Sequence, residues 1–218
     1  MSKAIVLFSG GLDSTTLLYY VQSQKYQPYC LIFDYGQRHR KEIEHAKRLA
    51  RKLHCEFQVV KIALPWQGSS LLDKTMALPQ REQINPKEIP STYVPARNII
   101  FLSFAVSWAE ALGANAVFIG ANAIDYSGYP DCRPEFFNAF QRTLKKGLKS
   151  GVEGNDIKIY APFLRKTKAQ IIRLGMKFKV PYHLTWSCYE GGRTPCGKCD
   201  SCLLRRRGFE EAGYTDES

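Results

Sequence analysis

The 218-residue sequence has no uninterrupted apolar stretch near the ~20 residues of a membrane-spanning helix, so a helical membrane protein is excluded. Before its first glycines it offers only the short apolar run Ala4–Phe8, too brief for the core of a signal peptide. No internal repeat or low-complexity tract is present, and neither GxxxxGK[ST] nor GxGxxG occurs, which removes two familiar phosphate loops. Histidine is sparse, and the four present (His39, His45, His54 and His183) form no evident catalytic pair; His39, inside a motif, is the one to test. Acidic residues are outnumbered, 20 against 31 Lys and Arg, for a net charge of +11. That balance fits an anionic partner, either nucleic acid or a phosphorylated small molecule, and equally a basic solvated surface. With no secretion signal, the seven cysteines point to a reducing compartment and to metal or catalysis rather than disulfides. The expectation is a cytoplasmic protein that engages no membrane.

What is present alternates between strand and helix patterns. Strands are expected at 4–8, 29–36, 57–62, 116–120 and 157–161, and helices after the first glycines and over 40–53, 97–112, 134–148 and 167–178. Such alternation predicts an α/β fold with a doubly wound, mostly parallel, Rossmann-like sheet covered on both faces. Two segments break the rhythm. Residues 63–96 hold five prolines and read as a lid or binding loop. From about residue 185 the chain has no strand pattern and carries four of the seven cysteines. The expected division is therefore a domain over 1–184 with a small annex over 185–218 packed on it.

Ser9-Gly10-Gly11-Leu12-Asp13-Ser14 joins the first strand to the first helix. A helix N-terminus presents unpaired N–H groups and partial positive charge, and glycine lets the backbone approach a ligand, so the joint suits an anion. A tight turn capped by Asp13 or Ser14 is the plainer alternative. In the tail, Cys188, Cys196, Cys199 and Cys202 are spaced x7, x2 and x2 with interspersed glycines, as four thiolates closing one tetrahedral site require. An iron–sulfur cluster is the rival, but the fourth cysteine followed by proline is missing. One structural zinc is the expectation. Cys30 and Cys55 read as core, whereas Cys132 lies in a polar loop and is a candidate nucleophile.

The loop resembles SGGxDS of the ATP pyrophosphatases, the adenine nucleotide alpha hydrolases, at Ser9, Gly10, Gly11, Asp13 and Ser14. That resemblance implies a grip on the β- and γ-phosphates of ATP while an oxygen nucleophile attacks the α-phosphorus. Phe8, Ser9, Gly10, Gly11, Leu12, Asp13, Ser14, Thr15, Thr16, Leu17 and Leu18 would then line the nucleotide site. Four further stretches, FDYGQRHRKE (33–42), TYVPARN (92–98), DYSGYPDCRPEF (125–136) and TWSCYEGGRTPCGKCDSC (185–202), resemble the 7-cyano-7-deazaguanine synthase family. The chain departs from that family's TYVPGRN at Ala96.

The resemblance implies conversion of 7-carboxy-7-deazaguanine and ammonia to 7-cyano-7-deazaguanine, with ATP, Mg2+ and adenylated acid and amide intermediates, in a homodimer. By it Lys168, in KTKAQI, would face the α-phosphate; on a solvated helix face it would do nothing. Arg97 can hold phosphate or carboxylate through its bidentate fork. Ser14, Asp13, Lys168 and Arg97 are thus the expected catalytic group. Asp34, ending the second strand, stands where adenine and ribose bind in such sheets. In the deazaguanine loop, Asp125 or Asp131 can accept from the ring's N–H edge, Tyr126, Tyr129 or Phe136 can stack, and Arg133 can pair with the carboxylate; a cap or turn role for either Asp is nearly as good. Two rival functions share these features. A tRNA-modifying adenylating enzyme such as a thiolase fits the basic charge and Arg205-Arg206-Arg207, but no separate RNA-binding domain is evident. A zinc-containing nucleic-acid-binding module leaves SGGLDS unexplained. No obligatory nucleic-acid partner is expected.

Overall fold

The computed structural model describes residues 1–66, 68–79, 88–122 and 128–217. Five parallel strands, β1 (Lys3–Leu7), β2 (Gln27–Asp34), β3 (Glu56–Lys61), β4 (Ala116–Phe118) and β5 (Lys158–Tyr160), form one sheet in the order β3-β2-β1-β4-β5. The chain winds outward from β1 in one direction, then returns to the other side of β1 to add β4 and β5. Loops leaving β1 and β4 therefore diverge, and a crevice opens at their carboxyl ends.

Period-two alternation assigns each strand residue a face. Ala4, Val6, Cys30 and Ile32 join one core with α1 (Leu12–Ser23), α2 (Lys41–Lys52), α6 (Lys168–Lys177) and α7 (Asp200–Ala212). Ile5, Leu7, Leu31 and Phe33 join the other with α3 (Arg97–Leu112) and α4 (Pro134–Gly147). A one-turn helix, α5 (Lys149–Val152), follows α4. Leu17, Leu102 and Ile172 are fully buried, and truncating such a side chain to Ala costs about 2–5 kcal/mol.

Helix limits follow local chemistry. α3 stops at Gly113, whose φ of 66° only glycine adopts freely. α6 opens with a reciprocal capping box: Gln170 N–H donates to Thr167 Oγ1 at 3.2 Å, and Thr167 N–H to Gln170 Oε1 at 3.0 Å. The described parts of 62–96 contain neither helix nor strand. They are pinned by Arg38, whose guanidinium donates to the carbonyls of Ser70 at 3.2 Å and Met76 at 2.8 Å, and by burial of Leu71, Leu78 and Val94.

The sequence pattern missed α7. Its buried positions include Cys202, Arg205, Phe209 and Ala212 at helical spacing, but most of that face is polar or small and gives no apolar stripe. The tail is consequently no loose appendage: α7 lies along α6, and Arg173 of α6 donates to the carbonyls of Glu211 and Ala212.

Candidate functional site

A cleft of about 250 Å³ lies at the carboxyl edge of the sheet. One wall is the β1–α1 joint. Gly10 has φ 80°, and a Cβ there would come within 2.5 Å of Ala46 N, so this position requires glycine on two counts. Gly11 is the N-cap of α1 and offers no side-chain cap. The N–H groups of Leu12, Asp13 and Ser14 thus lack intrahelical acceptors, and their residues line the cleft. Opposite them, a Cβ on Gly120 would sit 3.5 Å from Ser14 N. Ser14 Oγ accepts from Ser9 N–H at 3.2 Å and donates to Gly11 O at 3.2 Å, so this hydroxyl shapes the loop.

Lys168, the first residue of α6, reaches across to Asp13 with Nζ 2.5 Å from Oδ2. Asp13 Oδ1 is buried with no hydrogen-bond partner. α7 fixes this lysine: a Cβ on Gly208 would overlap Lys168 Cγ. The segment before the cysteines completes the wall. Trp186 N–H donates to Gly10 O at 3.1 Å, its indole N–H to Cys188 O at 2.9 Å, and Lys41 Nζ lies 4.0 Å from its ring centroid. Arg205 lines the cleft and donates to Thr185 Oγ1 at 2.7 Å, Tyr182 O at 3.0 Å and both Asp216 carboxylate oxygens at 2.7 and 2.9 Å.

At the far end, Arg97 starts α3 beneath Tyr35, Tyr129 and Cys132. Burial opposes the guanidinium's charge, yet its neighbours hold it above its ordinary value, so it stays cationic. Burial, with Asp131 nearby, pushes the Cys132 thiol up to about 12; its sulfur accepts from Asn98 Nδ2 at 3.3 Å. At neutral pH Cys132 is a thiol and not a nucleophilic thiolate.

The structure gathers Phe8, Ser9, Gly11, Leu12, Asp13, Ser14, Lys168 and Arg97 around one cleft. Other expected residues sit elsewhere. Gly10 turns toward α2. Thr15, Thr16, Leu17 and Leu18 follow the helix into the core: Thr15 and Thr16 hydroxyls donate to Gly11 O at 2.8 Å and Leu12 O at 2.9 Å, and all four residues are fully buried. Asp34 pairs with Arg40 at 2.6 Å, off the cleft lining. Asp131 Oδ2 accepts from Asn98 N–H at 3.0 Å, the capping role that short-range chemistry allowed. Arg133 is exposed ahead of α4, and Phe136 packs on Phe137 and Phe140, so neither lines the cleft. Asp125 and Tyr126 lie outside the described residues. Tyr129, one of the expected stacking residues, lines the cleft; Tyr35, Glu42, Tyr189 and Arg205 line it unanticipated. All but Arg205 fall inside the motifs quoted above; their positions there were the available signal. His39 lines it too, with Nε2 3.0 Å from Glu42 Oε2 and its ring 5.5 Å from that of Tyr189.

The four tail cysteines converge. The Sγ atoms of Cys188, Cys196, Cys199 and Cys202 all lie within 4.8 Å of one another, Cys196 and Cys202 at 4.0 Å. Zn–S bonds of ≈ 2.3 Å put tetrahedral thiolates about 3.8 Å apart, so the set fits a single ion. A cubane cluster, with irons and sulfides between its ligands, holds them farther apart. Cys196 N–H donates to Cys188 Sγ at 3.3 Å and Cys199 N–H to Cys196 Sγ at 3.4 Å, contacts that favour thiolate. A hydrogen bond from Cys202 lowers the Cys199 thiol's pKa.

Known proteins resemble this chain over nearly its whole length. The family model described as Queuosine biosynthesis protein QueC matches residues 3–213. A 7-cyano-7-deazaguanine synthase of Picrophilus torridus is 52% identical, over 100% of this chain and 91% of that protein. One of Acetivibrio thermocellus is 52% identical over 99% of this chain and 96% of that protein. Among solved structures, the U34-tRNA thiolase NcsA of Methanococcus maripaludis, with its 4Fe–4S cluster, shares the fold at TM-score 0.50 and 16% identity, over 96% of this chain and 64% of that one.

Proposed function

The chain belongs to the queuosine biosynthesis protein QueC family, and from that premise we propose that it is an ATP-dependent carbon–nitrogen ligase making 7-cyano-7-deazaguanine from 7-carboxy-7-deazaguanine and ammonia. The observation that carries this reading is the open N-terminus of α1, placed in a cleft with Lys168 and Arg97, in a chain half-identical from end to end to synthases of that name. Backbone N–H groups of the loop hold the outer phosphates of ATP, and Lys168 exchanges Asp13 for phosphate oxygens. A carboxylate is a poor electrophile because oxide is a poor leaving group; adenylation makes that oxygen leave as AMP. Ammonia then gives the amide. The amide oxygen is again a poor leaving group, so a second adenylation in the same cleft precedes the nitrile. The work of the chain is positioning and charge stabilisation.

Mg2+ accompanies the nucleotide, and Asp13, with its unpartnered buried oxygen, is the side chain suited to it. Cys188, Cys196, Cys199 and Cys202 hold one structural Zn2+ per chain, which ties 185–218 into a unit packed on 1–184. The exposed apolar residues Ile99 and Phe104 of α3 support a homodimer, and the reaction is cytoplasmic.

Incubation with ATP, ammonium and 7-carboxy-7-deazaguanine, followed by mass spectrometry, tests the reading. The expected products are the nitrile, AMP and pyrophosphate. Substrate carrying ¹⁸O in both carboxylate oxygens delivers label to two AMP molecules per nitrile. Substrate-dependent ADP release, or label in phosphate or water, rejects it. Elemental analysis that finds iron, or no metal in active protein, rejects the zinc assignment.

A further inference from the structure

Arg97 carries an unusual combination of surroundings. Its guanidinium stands at the cleft with Tyr35, Tyr129 and Cys132 as neighbours. Burial pushes both the Tyr35 phenol and the Cys132 thiol up, so both are neutral. The Tyr129 hydroxyl is engaged with Thr92 Oγ1 at 2.6 Å. Asp131, the carboxylate that acts on Arg97, already accepts from Asn98 N–H at 3.0 Å. No described residue forms an ion pair with Arg97 within 4.0 Å. A buried cation whose one nearby carboxylate, Asp131, makes no ion pair with it keeps its fork of donors available to an arriving anion. The α1 loop, which offers backbone donors to phosphate, forms a separate wall of the cleft.

Resting on the proposed reaction, we infer that Arg97, framed by Tyr35 and Tyr129, is the seat for the carboxylate of the aromatic acid and the group that distinguishes acid from amide. Arg97 holds one carboxylate oxygen while the other attacks the α-phosphorus. An O–P bond forms, the bond to the bridging oxygen breaks, and its electron pair leaves with pyrophosphate. The oxygen on Arg97 is then the carbonyl oxygen of the acyl adenylate. When ammonia adds to the carbonyl carbon, the π pair moves onto that oxygen, and a fixed guanidinium stabilises the oxyanion. The pair returns, the carbon–oxygen bond to AMP breaks with its electrons on AMP, and one ammonia proton passes to solvent. The amide has no second oxygen: the one it keeps must attack phosphorus. Arg97 therefore acts in the first half-reaction and has no anion to hold in the second.

The test compares acid and purified amide as separate substrates with ATP. In Arg97→Met, kcat/KM for the acid falls by roughly 100-fold, the scale for losing a buried charge-assisted partner, and at least ten times further than for the amide. Arg97→Lys gives an intermediate loss with the same bias. Calorimetry on the wild type without nucleotide needs no variant: the acid binds at least tenfold more tightly than the amide. Equal losses for both substrates with a raised KM for ATP, or equal wild-type affinities, overturn the inference and place Arg97 on the nucleotide. A wild type that converts neither acid nor amide overturns the proposed reaction itself.

Discussion

Two helices, α1 and α3, begin at the same edge of the sheet and end their first turns in opposite ways. α1 starts from Gly11 with no side-chain cap, and its free N–H groups line the cleft. At the start of α3, Asn98 N–H is filled by Asp131 Oδ2 at 3.0 Å, and the Asn98 amide donates to Asp131 O at 3.1 Å. Both termini carry the same partial positive charge. One is left open to the cleft; the other is met by a carboxylate of the chain itself, and in the proposed reaction anion recognition there passes to the neighbouring side chain, Arg97. Backbone donors suit phosphate oxygens in many orientations, whereas a planar guanidinium fork holds two oxygens of one anion at a fixed angle.

The largest test of this contrast is metal loss. Zinc-finger peptides owe about 10–16 kcal/mol to their ion, an upper bound for this tail. Cys199→Ser, or a chelator, should release 185–212 in hydrogen exchange and, through the Trp186–Gly10 bond, loosen the start of α1 while α3 stays protected. Equal deprotection of the two helix starts would erase the distinction. Gly10→Ala comes next. It combines left-handed strain of about 1–2 kcal/mol with overpacking of about 1–3 kcal/mol against Ala46. Substrate-dependent pyrophosphate release should fall by two orders of magnitude or more; near wild-type release would show that the loop does not depend on this backbone. Asp131→Ala leaves a buried N–H unpaired, at about 1–3 kcal/mol, and thermal unfolding should drop by roughly 2–4 °C for each kcal/mol. Sulfate should restore part of that loss by occupying the vacated terminus; no drop, or no sulfate effect beyond that on wild type, would deny that α3 was closed by this carboxylate. The smallest effect is Ala96→Gly. Ala96 has φ 56°, so relief of left-handed strain should exceed the added chain entropy and stabilise by about 0.5–1 kcal/mol, read in the denaturant midpoint; destabilisation would mean that Ala96 is at ease there.

Much of the fold was legible because it follows local rules. The limits of α3 emerge at Arg97 and Gly113, as expected, since a left-handed glycine stops a helix wherever it occurs. The turn between β1 and α1 was legible for the same reason: two glycines between a buried strand and a helix mark a tight joint. Helix α7 was not, because Arg205 and Gly208 fill its buried face and resemble surface residues until their partners Asp216 and Lys168 are in place. The surroundings of Asp131 were not legible because they depend on long-range pairing. Asp131 looked available for a ligand, yet its partner Asn98 is 33 residues away in sequence. Tyr35 and Tyr129 lie in motifs that attracted notice, but nothing local says that both face Arg97.

The bond from Trp186 N–H to Gly10 O bears on how the molecule is born. A ribosome delivers Gly10 well before Trp186, the tail cysteines and Gly208. At typical synthesis speeds of about 5–20 residues per second, the phosphate joint waits roughly 10–40 s for its last wall. For the first part of that interval β1, destined for the middle of the sheet, lacks its neighbour β4, and throughout it lacks the last helix of the tail. The Gly10 turn is thus closed late: a chain whose synthesis has passed Gly10 but not Trp186 lacks the backbone bond that fixes it.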